Sequence, residues 1–382
     1  MAHYDHLIVG GGMTAAAAAE AIRKLRPNDS IGVVGSDSHH AYNRPPLSKG
    51  LWKGDAEDGV FRKVDELGVA LHLGKRATSL DPALKQVTDD AGGVHTYGKL
   101  LLATGGNPRQ LKDAAGGVIY FRTLDDYRTL RRAATAGSSA AIIGGGFIGS
   151  EVAAALAMNG VKVTMLFPED GIGARNYPAG LSEFIGRYYH DKGVEVLSKE
   201  SLSRVEKQGT KFTLRTESGK SVEADVVVAG IGITPNVELA EAAGLEVGNG
   251  IVVDQYLQTS TADIYAAGDV ANFYSPALGN RMRVEHEDNA NSMGAAAGRN
   301  MAGEPTPYDH LPMFYSDLFD LGYEAVGELD ARHDIVEDWK KPFEEGVVYY
   351  LHGGRVRGVL LWNTWDQVDN ARELIASPGP WT

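Results

Sequence analysis

Ala140-Ala141-Ile142-Ile143-Gly144-Gly145-Gly146-Phe147-Ile148-Gly149 decides the reading of this chain. An apolar strand runs directly into Gly-x-Gly-x-x-Gly, and residues 148–159 continue at helical spacing. Earlier, His6-Leu7-Ile8-Val9 runs into Gly10-Gly11-Gly12-Met13-Thr14-Ala15, and residues 14–25 follow as a helix. In such a turn the first glycine permits the tight bend and the second lets a pyrophosphate approach backbone N–H groups. The third position, Gly149 or Ala15, lets helix and strand pack closely, and the helix N-terminus favours the anion. One fingerprint is weak. Two in strand–turn–helix context point to two bound nucleotides, with electrons passing between them.

The pattern around the fingerprints is duplicated. Second strands are expected at residues 30–34 and 162–167, then short strands and turns at 71–97 and 194–222. Each half then reaches a continuous apolar strand, Leu100-Leu101-Leu102-Ala103-Thr104-Gly105 or Val226-Val227-Val228-Ala229-Gly230-Ile231-Gly232, of the kind buried in parallel sheets. Residues 250–302 resemble a return to the first domain, with strands at 251–253 and 264–266 and a helix over 289–301. From residue 310 the style changes: a hairpin flanks His352-Gly353-Gly354, and residues 366–376 carry helical spacing. The expected fold is therefore α/β, with two Rossmann-like βαβ nucleotide-binding domains and a small C-terminal α+β domain. The first domain is discontinuous (1–115 and 250–308), the second covers 116–249 and the third 309–382.

Composition excludes several classes. The net charge of −13 argues against nucleic-acid binding. Arg44, Lys49, Lys53, Arg62 and Lys63 form the best local basic patch, either a docking surface or a solvated loop face. With no cysteine among 382 residues, a disulfide framework, a thiolate metal site and any dithiol relay are ruled out. No histidine cluster has metal-ligand spacing, so no metal is assigned. The absence of a transmembrane run or signal-peptide layout gives the expectation of a cytoplasmic protein without membrane insertion.

Arg44-Pro45-Pro46-Leu47-Ser48-Lys49, Gly144 to Glu151, Leu166-Phe167-Pro168-Glu169, Ala266-Ala267-Gly268-Asp269, Val284-Glu285-His286 and Met313-Phe314-Tyr315-Ser316-Asp317 together resemble a known family. It is that of the FAD-dependent pyridine-nucleotide reductases of the ferredoxin and rubredoxin reductase type, nearest to the apoptosis-inducing-factor group. The likeness covers roughly residues 5–330. It implies FAD at Gly10, Gly12, Thr14, Ala15, Asp37, Arg44, Lys49, Thr104, Gly105, Asp269, Glu285, His286 and Tyr315. Asp269 inherits the hydrogen bond to the ribityl chain. It implies NAD at Gly144, Gly146, Phe147, Ile148, Gly149, Glu151, Glu169 and Gly232, with Phe147 as an aromatic gate. Lys49, with Glu151 as its partner, and His286 are the catalytic candidates. Lys49 is the cation expected to favour reduced flavin. Tyr315 departs from the family, standing where the apoptotic protein has Trp.

Taken singly, these residues keep plainer readings: Asp269 as a cap, Phe147 as core, Glu151 as a helix-start carboxylate, Lys49 as surface, His286 as structural. Asp37 lies 27 residues after Gly10, long for a ribose-binding carboxylate, and Glu169 lies 25 after Gly144. A carboxylate at that strand end bonds ribose hydroxyls and repels a 2′-phosphate, so NADH is expected over NADPH, with Arg175 as a counter-indication. The acceptor must be external. A ferredoxin or rubredoxin is the first expectation, with Arg44 to Lys63 or Arg281 and Arg283 as docking cations. The alternatives are an NADH oxidase or quinone or dye reductase, and a slow redox-sensing interaction protein in which NADH drives homodimer formation.

Overall fold

In a computed structural model that describes residues 1–380, each fingerprint strand is flanked on both sides by parallel strands. The chain divides into two units. The first comprises Met1–Asn43, Glu57–Asn107 and Thr234–Pro312, the second Arg44–Ala56, Pro108–Ile233 and Met313–Thr382.

In the first unit, Ala2–Val9 is flanked in parallel by Ile31–Gly35 and Val94–Leu102, with His6 opposite Ile31 and Ile8 opposite Leu101. Ala70–Leu73 extends one side of the sheet and Ile264–Ala266 the other, both in parallel. The last strand confirms the expected return of the chain, since Ile264 registers with Leu100 across more than 160 intervening residues. Leu7, Ile8 and Leu100 to Leu102 are completely or almost completely buried, as strands covered on both faces require. The helix Met13–Leu25 covers one face through Ala15, Ala18, Ala19 and Ile22. Its partner is the helix Glu287–Met301, which starts two residues before the expected 289. The two helices meet through small residues. A Cβ at Gly294 would stand 2.5 Å from the Thr14 carbonyl oxygen, and one at Gly298 2.5 Å from that of Ala18.

In the second unit, Ser139–Ile143 lies between Lys162–Leu166 and Val226–Ala229, and Val194–Leu197 completes a four-stranded parallel sheet. The helix Phe147–Met158 follows the fingerprint. Residues 202–224 form a three-stranded antiparallel sheet. A helix the sequence reading did not single out, Leu124–Ala133, begins with a capping box in which Thr123 and Asp126 satisfy one another's backbone N–H groups.

The C-terminal part is richer in strand than expected. Beyond the hairpin Glu345–His352 and Arg355–Trp362, the strands Met313–Leu318, Leu321–Gly327 and Asp334–Lys341 make a five-stranded antiparallel sheet. In Leu321–Gly327 the buried residues come in adjacent pairs, and in Asp334–Lys341 none is fully buried, so neither strand carries a two-residue alternation. Val368–Ala376 forms the closing helix, with Ala371 and Ile375 buried.

Candidate nucleotide sites and a buried lysine–glutamate pair

Both fingerprints have the geometry their glycines demand. Gly10 and Gly144 sit at φ +126° and +111°, in backbone that favours glycine. A Cβ there would stand 2.1 Å from the Ala103 carbonyl oxygen at Gly10, or 2.4 Å from that of Gly230 at Gly144. A Cβ at Gly149 would lie 2.1 Å from the Gly144 oxygen, so this glycine is what lets helix and turn pack. Gly12 and Gly146 are N-caps in extended backbone. Neither helix has a capping side chain or an acidic residue in its first turn. By contrast, the helices Leu124–Ala133 and Glu287–Met301 both have acidic residues in the first turn. A Cβ at Gly146 would meet nothing within 4 Å. The two fingerprint helices thus begin with neither a side-chain cap nor a first-turn carboxylate, and this fits a dinucleotide pyrophosphate at each.

Around the first fingerprint, Gly268 has φ +77°, and a Cβ there would lie 2.3 Å from Thr14 Oγ1. Gly268 is therefore seated against the fingerprint helix at Thr14. The Arg283 side chain donates to the Asp269 carbonyl at 3.0 Å and pairs with Glu285 at 2.7 Å. Asp37 accepts from the His39 backbone N–H and from the Tyr42 hydroxyl, both at 3.0 Å. Thr104 and Gly105 are held by a residue absent from the sequence reading. Asn236 donates its side-chain amide to the Thr104 carbonyl at 2.9 Å and its backbone N–H to that of Gly105, and accepts from Thr104 Oγ1 at 2.8 Å. Only its position after Thr234-Pro235 hinted at a turn. His286 is the N-cap of Glu287–Met301. Burial pushes its pKa down to about 4 against the opposing pull of Asp269 and Asp288, so the imidazole is neutral at pH 7.

In the second unit, Phe147 is half-buried with its ring 5.5 Å from that of Phe314, and Ile148 is exposed. Gly232 closes the strand-end turn at φ +89°. Glu169 follows the strand Lys162–Leu166 and is paired with Arg175 at 2.5 Å. Arg175 is mostly exposed while Glu169 is mostly covered, so the guanidinium is the solvent-facing partner.

Lys49 and Glu151 form a buried ion pair in the second unit. Lys49 Nζ lies 2.6 Å from Glu151 Oε1, with side chains 11% and 5% exposed. A buried charge at either position needs the other. Lys49 sits between the short turns Pro45–Ser48 and Gly50–Trp52. That segment is pinned by Trp52, whose indole N–H donates to the Leu47 carbonyl at 2.8 Å and whose ring meets Tyr127 edge-on. Tyr315 stands with its ring centroid 5.2 Å from Lys49 Nζ, within cation–π range. The resemblance gives no role to Ser48 and Ser316, whose hydroxyls both donate to Glu151. Nothing distinguishes a buried serine from an exposed one before the strand register is known.

Of the five cations of the basic patch, Arg44, Lys49 and Lys53 belong to the second unit. Lys49 is committed to Glu151, and Lys53 lies 3.9 Å from Asp317. Arg62 and Lys63 belong to the first unit, where they line a groove of about 700 Å³ with Lys24 and Arg299 and the single carboxylate Glu20. Arg62 is fixed there by donating to Asn43 Oδ1 at 2.8 Å and to Asn291 Oδ1 at 2.5 Å. Arg281 donates to the Val253 and Asn272 carbonyls, so it and Arg283 are engaged with backbone. Among the described residues no helix is long and apolar enough to cross a membrane, and no group of three or more His, Asp or Glu could hold a metal.

Known proteins show the same plan. The pyridine nucleotide-disulphide oxidoreductase family matches residues 4–294. The C-terminal family of mitochondrion-associated apoptosis-inducing factor matches 297–342 and 332–377. The ferredoxin–NAD(+) reductase component of the anthranilate 1,2-dioxygenase system of Burkholderia cepacia is 36% identical over 385 residues, covering 97% of this chain and 94% of that protein. Mitochondrial apoptosis-inducing factor 1 of Dictyostelium discoideum is 33% identical, over 97% of this chain and 78% of its own length. Among solved structures, the covalent putidaredoxin reductase–putidaredoxin complex matches with a TM-score of 0.91 at 31% identity, covering 98% of this chain and 94% of the other. This chain belongs to the pyridine nucleotide-disulphide oxidoreductase family, on the branch that holds the ferredoxin reductases and the apoptosis-inducing-factor-like proteins.

Proposed function

We propose that this chain is an FAD-dependent NADH oxidoreductase that delivers electrons to a ferredoxin-type iron–sulfur protein. The observation that carries the reading is the pair of uncapped Gly-x-Gly helix N-termini in a chain without cysteine. Two dinucleotides have a place to bind, and no sulfur relay exists between them and the acceptor. Bound FAD supplies a centre that takes hydride from NADH and gives up electrons to an external acceptor. Gly10, Gly12, Thr14 and Ala15 would hold its pyrophosphate, with Asp37, Thr104, Gly105, Asp269, Glu285 and His286 of the same unit; the resemblance assigns Arg44 and Tyr315 to FAD as well. Gly144, Gly146, Phe147, Ile148, Gly149, Glu169 and Gly232 would hold NADH. Lys49, paired with Glu151, would balance the negative charge that reduction places on the flavin. His286, neutral at pH 7, would border the flavin without adding charge.

Residues 1–115 and 250–308 are proposed to bind FAD, 116–249 NAD, and 309–382 to form the C-terminal domain. The acceptor's surface is proposed to be acidic, because the groove carrying Lys24, Arg62, Lys63 and Arg299 offers an excess of cations on an otherwise acidic chain.

The match of the C-terminal region to the apoptosis-inducing-factor family favours a second reading, a slow redox sensor that changes oligomeric state with NADH. Mixing the FAD-loaded protein with NADH and a panel of ferredoxins and rubredoxins, and following acceptor absorbance, separates the readings. Turnover of an acceptor well above oxygen consumption supports the reductase. Flavin bleaching with no such acceptor, joined to NADH-dependent dimerisation on sizing, supports the sensor. Oxygen consumption that no carrier outpaces supports an NADH oxidase.

A further inference from the structure

Glu151 has more donors than an ion pair needs. Oε1 accepts from Lys49 Nζ at 2.6 Å and from Ser316 Oγ at 2.7 Å, while Oε2 accepts from Ser48 Oγ at 2.6 Å. The donors come from separate parts of the sequence, one turn and one strand, converging on a helix. Ser316 alternates inward with Phe314 and Leu318 on the strand Met313–Leu318 and is 1% exposed. Ser48 is 5% exposed. Two hydroxyls buried at one carboxylate are costly to place unless they donate, and both do.

The terminal torsion of a glutamate is soft, and a lysine ammonium is a compact charge on a flexible stem. An isolated Lys–Glu pair therefore fixes the separation of its charges but not their place. A hydroxyl on each oxygen removes the rotation of the carboxylate. Its Oε1 edge then holds the ammonium in one position, with the Tyr315 ring centroid 5.2 Å away. We infer that Ser48 and Ser316 are positioning residues for Lys49: they lock the Glu151 carboxylate plane, and through it the placement of the one cation assigned to the reduced flavin. That last assignment rests on the function proposed above. The locking itself does not.

The test uses the FAD-loaded protein and the variants Ser48→Ala, Ser316→Ala, Glu151→Gln and the corresponding double substitutions. The readouts are the rate of flavin bleaching at saturating NADH, the NADH dissociation constant, the flavin midpoint potential, and the side-chain 15N signal of Lys49, identified by its loss in Lys49→Met. Each serine variant is expected to slow bleaching roughly three- to tenfold with the NADH dissociation constant unchanged, because a hydrogen bond to a charged group is lost. The potential is expected to fall by up to about 30 mV, which is a tenfold change for a two-electron couple. The Lys49 signal should shift or broaden. In the Glu151→Gln background, removing either serine should add little, as coupling through a shared partner requires.

A wild-type rate, potential and Lys49 signal in both serine variants would overturn the inference. So would effects of the same size with and without Glu151. If Ser316→Ala does not fold, Ser48→Ala decides, since it acts on the other oxygen. If the wild-type flavin is not reduced by NADH at all, the proposed function fails, and the Lys49 signal in Ser48→Ala against wild type still decides whether the clamp exists.

Discussion

Glu169 meets a cation before any nucleotide arrives, because Arg175 is on it at 2.5 Å. A ribose that bonds the carboxylate competes with a largely exposed ion pair, which is worth little. Replacing Glu169 with Ala should raise the KM for NADH about tenfold, the loss of a hydrogen bond to a charged acceptor. It should raise that for NADPH less or lower it, since the freed guanidinium suits a phosphate. An unchanged NADH-to-NADPH ratio removes Glu169 from discrimination. Lys49→Met should retain FAD but slow its reduction by at least about tenfold, if the lysine supplies even 1.4 kcal/mol to the reduced state. Unchanged stopped-flow bleaching would exclude it. His286 gives a pH prediction. The unfolded imidazole titrates near its ordinary value of 6.5 and the folded one near about 4. Between these the unfolded chain binds the extra proton, so stability falls as pH drops from 6.5 towards 4, and this group contributes nothing above that window. His286→Gln should flatten the dependence of denaturation midpoint on pH across that interval. An equally steep dependence assigns it to other groups.

At the scale of elements, the helices Met13–Leu25 and Glu287–Met301 approach so closely that Gly298 has no room for a side chain. Gly298→Val would place carbon against the Ala18 carbonyl and cost about 1–3 kcal/mol by overpacking. The thermal midpoint should fall by several degrees. If it does not, the helices can separate without penalty. The capping box of Leu124–Ala133 is a second, independent handle. Thr123→Ala removes the acceptor for Asp126 N–H and should cost about 1 kcal/mol, read from the denaturant midpoint at constant slope.

At the scale of the whole molecule, the absence of cysteine is the most consequential single property. The family takes its name from disulphide chemistry, and this member cannot perform it within its own chain. Electrons collected from NADH must leave directly to another molecule. The acidic total charge of −13 coexists with a groove lined by four cations, so the proposed attraction of an acidic acceptor would be local and should weaken as salt is raised.

The duplicated fingerprints, the parallel strands behind them and the return at Ile264–Ala266 were legible in order alone, because glycine spacing and continuous apolar runs are local signals. Family resemblance linked Lys49 to Glu151 across a hundred residues. Residue order could not show that Ser48 and Ser316 close on the same carboxylate, that Asn236 ties down Thr104 and Gly105, or that five neighbouring cations separate into different settings. Those facts depend on strand register and on which face of a helix turns inward. Packing of distant segments fixes these, while the residues themselves, serine, asparagine and lysine, carry no mark of it.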